Sequence, residues 1–289
     1  IFLILGFCNC CCCGFGIPVA QRFGARDYAD MRRYVANALR LAVGISVTVA
    51  IVTSIWCADI LHAMRTPDNI FRDAYLYLLV TFIGIPCTFF YNLLSNIIRA
   101  LGDSRTPFWF LLFSTVLNIA LDLFCILTLG WGVLGAAVAT VVSQGVSAAL
   151  CFAYMHRHFE ILRSTRDERR FRSRHARTLL AIGLPMGLQL VNAVFLGDLL
   201  TDLQNQCRPY EIEPGETAKK VQKWEDYLCT QLGRLKVVPR PLIRSWYKAI
   251  IEDFASIPRK KEKKVLVGVV GEIYVKYSPL GNNNLENFL

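Results

Sequence analysis

The stretch Thr106–His156, "TPFWFLLFSTVLNIALDLFCILTLGWGVLGAAVATVVSQGVSAALCFAYMH", contains a single charged residue, Asp122. A membrane-crossing helix needs roughly 20 apolar residues, and a water-soluble fold has no use for so long a run. The stretch is long enough for two such helices, and "LGWGVLG" (Leu129–Gly135) is the natural place to turn between them.

The pattern continues on both sides. Ile1–Gln21, Ala42–Ala58, Ala74–Ile98 and Thr178–Gly197 carry no charged residue. The reading is an all-α polytopic membrane bundle of about six transmembrane helices, spanning residues 1–197. Composition agrees, since 54% of the chain is hydrophobic and 19% charged, against about a quarter charged in globular proteins. The formal net charge of +10 would alone suggest nucleic acid or anionic lipid, so the placement of the basic residues decides. Arg22, Arg26, Arg32, Arg33 and Arg40 lie around the first connection, Arg99 and Arg105 around the third, and eight arginines in the fifth (Arg157–Arg177). The second connection has only Arg65 and Arg72, and the fourth has none. Lys and Arg favour cytoplasmic loops, so the odd connections are expected inside. The excess charge is therefore topology: a multi-pass protein of the plasma (inner) membrane, with the lipid bilayer as partner and no nucleic acid. The chain opens at Ile1 within an apolar run, without the basic flank or cleavage site of a signal peptide, which predicts a truncated beginning.

After Gly197 the character changes. Residues 198–289 are charged throughout and offer no membrane span. Thr217–Lys236 and Pro241–Ile257 read as amphipathic helices, and "KVLVGVVG" (Lys264–Gly271) as a buried strand. "SPLGNNNLENFL" then reads as a loop, an Asn cap and a helix start. The expectation is an incomplete soluble α/β fragment, ending before its sheet could close.

Asp122 is the most informative side chain. A carboxylate within a membrane helix is costly and usually faces a partner or a water-filled cavity. Asn118 lies four residues earlier, on the same helix face, and could hydrogen-bond it. A group that exchanges a proton for a cation is the minimum equipment of an antiporter; the alternative is an Asp bonded within the bundle purely for packing. The densest cysteine run, "FCNCCCCGFG" (Phe7–Gly16), lies inside the first span. Neighbouring side chains on a helix point about 100° apart, so these cysteines cannot converge on one metal. The run reads as a small-residue packing surface, with palmitoylation or metal and redox chemistry as alternatives.

At this point the residues resemble a known family. "IIRALGDSRTPFWFLLFSTVLNIALDLFCILTLGWGVLGAAVATVVSQ" (Ile97–Gln144) resembles the multidrug and toxic compound extrusion (MATE) antiporters, through R-A-x-G-D-x-x-T-P, N-x-x-x-D and G-x-x-G-A-A-x-A-T. "GIPVAQRFGARDYADMRRYVANAL" is similar to the family's second helix and the following loop, and "LLAIGLPMGLQ" (Leu179–Gln189) to its seventh helix. The resemblance covers about residues 1–193. It implies that the spans correspond to the family's helices two to seven. Asn118 and Asp122 then align with the N-lobe cation or proton site, joined by Thr140 on the next helix. It also implies cationic small-molecule substrates, coupling to Na+ or H+, and no further cofactor. The family's first helix and most of its second lobe are not matched. Alternating access needs two bundles rocking about a midplane site, so this chain by itself is expected to be inactive.

The tail resembles a different family. "DLLTDLQNQCRPYEIEPGET" (Asp198–Thr217) and "VLVGVVGEIYVKYSPLGNNNLENFL" (Val265–Leu289) are similar to 2-hydroxyacyl-CoA dehydratase components and activase-related proteins, over about residues 195–289. That family implies an iron–sulfur cluster, which this chain does not support: Cys207 and Cys229 have no CxxC partners. Glu272 is the candidate ligand-facing residue, with a loop or helix-start carboxylate as the alternative. "PRKKEKK" (Pro258–Lys264) reads as a solvated linker, or else as a phosphate or CoA contact. The positive-inside assignment would put residues after Gly197 outside the cell, where a CoA-dependent domain has no substrate. The join also falls inside a helix rather than in a flexible linker. Three functions follow as expectations: a fragment of a cation-coupled multidrug antiporter, not an enzyme; a cytoplasmic dehydratase component; or a non-functional chimeric reading frame.

Overall fold

The computed structural model describes residues 1–163, 165–235, 238–260 and 262, and nearly all of them are helical. Two compact units partition the chain. One comprises Ile1–Phe195 with Leu232–Val238, and the other the described residues of Leu196–Gln231 and from Pro239 onward.

The first unit holds α1 (Phe2–Gly24), α2 (Tyr28–Ile55), the short α3 (Cys57–Ala63), α4 (Asp68–Ile83), α5 (Ile85–Ala100), α6 (Arg105–Leu123) and α7 (Gly132–His158). It also takes α8 (Ser173–Cys207) as far as Phe195. Helices α1, α2, α6, α7 and α8 are long and apolar enough to cross a membrane, and the bent pair α4–α5 passes the same test only when taken together, which gives six spans if it crosses as one. That pair corrects the expectation of an unbroken span over Ala74–Ile98, because the axis turns by 43° at Gly84. Two residues cause the bend. Pro86 has no N–H for the Phe82 carbonyl, and its ring crowds the preceding turn. Gly84 sits against α7, where a Cβ would collide with the Val141 side chain. Between α6 and α7 the expected turn is present: Gly130 and Gly132 have φ of +66° and +53°, a region that glycine enters without strain.

Packing within this unit depends on small residues. Cys8, Cys11 and Cys12 are buried on α1, and Cys10 and Cys13 half-buried. Cys12 Sγ donates to the Phe89 carbonyl of α5 at 3.5 Å, and Cys13 Sγ to Asn96 Oδ1 at 3.8 Å. On α8, a Cβ added at Gly187 would lie 2.6 Å from the Phe7 ring. A Cβ added at Gly14 would lie 2.6 Å from Gly183 Cα, so α1 and α8 meet backbone to backbone there.

At the arginine-rich end the fifth connection is tied to α2. Arg32 makes a bidentate pair with Glu168 (2.6 and 2.9 Å) and also donates to the Ile161 carbonyl. Asn37 Oδ1 accepts from the Arg172 backbone N–H at 3.0 Å. His175 Nε2 lies 2.8 Å from Asp30 Oδ1, and Arg22 pairs with the same carboxylate at 3.1 Å. The Arg32 guanidinium, helped by the Thr165 backbone N–H, pulls the Glu168 carboxyl down to about 2.

In the second unit, the helices expected over Thr217–Lys236 and Pro241–Ile257 are α9 (Glu216–Arg234) and α10 (Arg240–Ala255). Trp246, Ile250 and Phe254 are buried along one stripe of α10. Asp253 joins the two helices through Lys220 (3.1 Å), Lys223 and the Trp224 indole (both 2.9 Å). Burial opposes charge on Asp253, but those three donors hold its carboxyl at about 2. Glu211, in the R-P-Y-E turn, caps α9 by accepting from the backbone N–H groups of Gly215 (2.7 Å) and Thr217 (2.8 Å). Among the described residues, extended pairing is limited to one bridge, Glu211 to Arg259. The strand expected at Lys264–Gly271 and the segment after it lie outside the described residues, so the α/β class expected for the tail rests on sequence alone.

Two predictions follow from this packing. Gly14→Val forces α1 from α8 and should cost about 1–3 kcal/mol, read as a lower midpoint of thermal unfolding in detergent; an unchanged midpoint would refute the backbone contact. The depressed Glu168 carboxyl contributes stability above its ordinary range near 4.3, and this is lost as pH falls toward 2. Protection of the amides of residues 165–172 against exchange, taken relative to the intrinsic rate at each pH, should therefore fall across that window, and Glu168→Gln should lower it already at neutral pH.

Candidate functional site

Two helices carry the candidate site, and the start of α6 shows how they are held. Helix α5 ends on Gly102, whose φ of +92° lets the Asp103 N–H reach back to the Ile98 carbonyl at 3.3 Å. Asp103 Oδ1 then accepts from the backbone N–H groups of Arg105 (3.1 Å) and Thr106 (3.0 Å), capping α6. Tyr154 of α7 donates to Asp103 Oδ2 at 3.3 Å and accepts from the Thr106 hydroxyl at 3.2 Å. The G-D-x-x-T-P motif is thus a helix cap tied to the neighbouring helix.

From that tie the helices run antiparallel in one register. Ser114 Oγ donates to the Ser143 carbonyl at 3.5 Å. About three turns further along the chain, just past the end of α6, the Cys125 Cβ crowds Gly135. Between them lie Asn118, Asp122 and Thr140. Asn118 Nδ2 donates to Thr140 Oγ1 at 3.4 Å, and Thr140 returns its hydroxyl to the Ala136 carbonyl at 2.9 Å. The bond expected between Asn118 and Asp122 is not formed, because the Asn118 amide turns across to α7. Asp122 is half-buried, and its Oδ1 is buried without a hydrogen-bond partner among the described residues.

Directly after Asp122 the backbone changes pitch. Phe124–Thr128 form a π-helical turn closed by the Leu129 N–H on the Phe124 carbonyl at 3.3 Å. Such turns widen a helix locally and recur at functional sites. Sequence reasoning named the three polar residues but missed this turn, which has no composition of its own. It also missed Tyr154, although the G-D-x-x-T-P motif and a lone Tyr on the partner helix are visible signals. Glu272 lies outside the described residues. Among the described residues, no group of three His, Cys, Asp or Glu is placed to hold a metal ion.

Residues 1–124 match the family model described as MatE. The family these findings support is MATE. "Probable multidrug resistance protein YpnP" of Bacillus subtilis is 32% identical over 177 residues, covering 60% of this chain and 38% of that protein. "Probable multidrug resistance protein YoeA" of the same organism is 30% identical over 199 residues, covering 66% of this chain and 42% of that protein. The chain therefore spans less than half the length of these curated relatives. An inward-facing multidrug resistance MATE transporter superposes with a TM-score of 0.62 at 25% identity, over 71% of this chain and 47% of its own. An outward-facing one gives 0.66 at 21% identity, over 88% and 53%. The relatives are MATE multidrug transporters, not enzymes. With its apolar spans, the chain is a multi-pass protein of the plasma membrane, as MATE transporters are.

Proposed function

We propose that this chain is part of a cation-coupled multidrug antiporter of MATE type, in which Asp122 exchanges a proton or Na+ while Asn118 and Thr140 shape the site. The observation that carries this reading is the buried Oδ1 of Asp122, without a hydrogen-bond partner among the described residues, within an otherwise charge-free span and next to a π-helical turn. The substrates are cationic small molecules, driven outward by the inward movement of the coupling ion. A carboxylate suits both jobs, because binding a proton or a cation removes the same uncompensated charge.

In cells expressing the gene that carries this chain, export of a lipophilic cationic dye should require a Na+ or proton gradient. Asp122→Asn should reduce gradient-driven export by at least an order of magnitude, with Asn118→Ala and Thr140→Val giving smaller losses. Unimpaired export by Asp122→Asn at equal membrane abundance would remove the assigned role. Vesicles holding the 289-residue chain alone should not accumulate dye, because alternating access needs a second bundle.

The tail supports a second reading, a fragment similar to 2-hydroxyacyl-CoA dehydratase components joined as a chimera. It rests on the R-P-Y-E-x-x-x-G-x-T signature and on the change from apolar to charged sequence within the single helix α8. One uninterrupted DNA read across codons 180–210 tests it. Both halves in frame on one molecule would overturn an assembly join.

A further inference from the structure

A cavity of about 540 Å³ opens in the first unit between α2, the end of α7 and the connection that follows. Its lining has two characters. Arg32, Arg40, His156, Arg163 and Arg169 contribute cationic or titratable groups. Val35, Leu39, Phe152, Phe159 and Leu162 contribute apolar wall. The acidic groups nearby are engaged: Glu168 is clamped by Arg32, and Glu160 pairs with Arg163 at 3.5 Å. Arg40 is different. It is exposed, lines the cavity, and makes no hydrogen bond or ion pair among the described residues.

The depth of the cavity is legible from the sequence. Arg40 comes two residues before the charge-free run that starts at Ala42, and His156 closes the charge-free run of α7. Both therefore stand where hydrocarbon gives way to headgroups, on the side to which the arginine-rich connections belong. A cationic drug would be repelled by such a lining. An anion with an apolar body fits both halves, its phosphate on Arg40 and its acyl chain against Leu39, Phe152 and Phe159. Basic pockets between membrane helices on the cytoplasmic side suit anionic lipid headgroups. We infer that this cavity is a binding site for an anionic phospholipid of the inner leaflet, anchored by Arg40. The inference is independent of ion coupling at Asp122 and uses only the membrane placement of α2 and α7.

The test is native mass spectrometry of the full chain released from nanodiscs containing equal phosphatidylglycerol and phosphatidylcholine of matched acyl chains. Phosphatidylglycerol adducts should dominate. Arg40→Gln should lower their retention about fivefold, the worth of one cation at an anionic surface, and Arg40→Lys should keep most of it. Ala36→Trp, which fills the cavity and leaves the charges, should also lose the adduct. Arg157→Gln, which removes a neighbouring arginine outside the cavity, should not. Equal retention of both lipids, or an Arg40→Gln variant indistinguishable from the parent, would overturn the proposal. So would displacement of the adduct by millimolar inorganic phosphate or glycerol phosphate, because the ligand would then be a free anion rather than a lipid.

Discussion

Close approach of helix backbones is the constraint on which this bundle rests. In a bilayer the lipid tails are as apolar as the side chains, so helices gain little from burial and associate through packing at short range. The contact of Gly14 with Gly183 supplies that short range between α1 and α8, and Gly84 against Val141 supplies it between the α4–α5 bend and α7. The cysteine run belongs to the same device. Cys8, Cys11 and Cys12 are small enough to let α1 lie in the groove beside α5, and they bury no charge in doing so.

The polar groups of the unit then sort by position. At the arginine-rich end they are dense and mutually satisfied, as in the Arg32–Glu168 and Asp30–His175–Arg22 pairs. These pairs fix the fifth connection on α2 and set the shape of the cavity beside it. Along α6 and α7 the polar groups are sparse: Ser114 and Asn118 bond across to α7, while Thr115, Val116, Ile119 and Leu123 of α6 are exposed. The exposed positions are mostly apolar, and the charged Asp122 is half-buried.

Much of this was legible in the sequence because charge-free runs report membrane spans directly. The number of spans, the Leu129–Gly135 turn and both tail helices followed from hydropathy and glycine placement. The bend at Gly84 was not legible, since an apolar run reads the same whether or not Pro86 breaks its hydrogen-bond ladder. The partner of Asn118 was missed for a related reason. Helical spacing identifies residues on one face, but the neighbour across the seam depends on the register of α6 against α7. That register is set at a distance, by the Asp103 cap and Tyr154. The fold class of the tail depends on residues beyond those described, so its α/β reading stays with the sequence.

Asp122 is best understood by asking what it would need if its role were packing alone. On insertion scales a carboxylate at a membrane helix centre costs about 2.5–3.5 kcal/mol, and Asp122, the penultimate residue of α6, bears a part of that cost. An interhelical hydrogen bond in a membrane returns about 0.6 kcal/mol on average, so a structural Asp should have both oxygens engaged. Here the available donor, the Asn118 amide, is given to Thr140 instead, and Oδ1 is buried without a partner among the described residues. Asn at position 122 would preserve the shape at lower cost, yet the chain carries the ionisable group. The π-helical turn next to it adds a second departure from the cheapest structure at the same place. Two local costs in adjacent turns are hard to explain by stability. Both fall at the position proposed above for ion coupling.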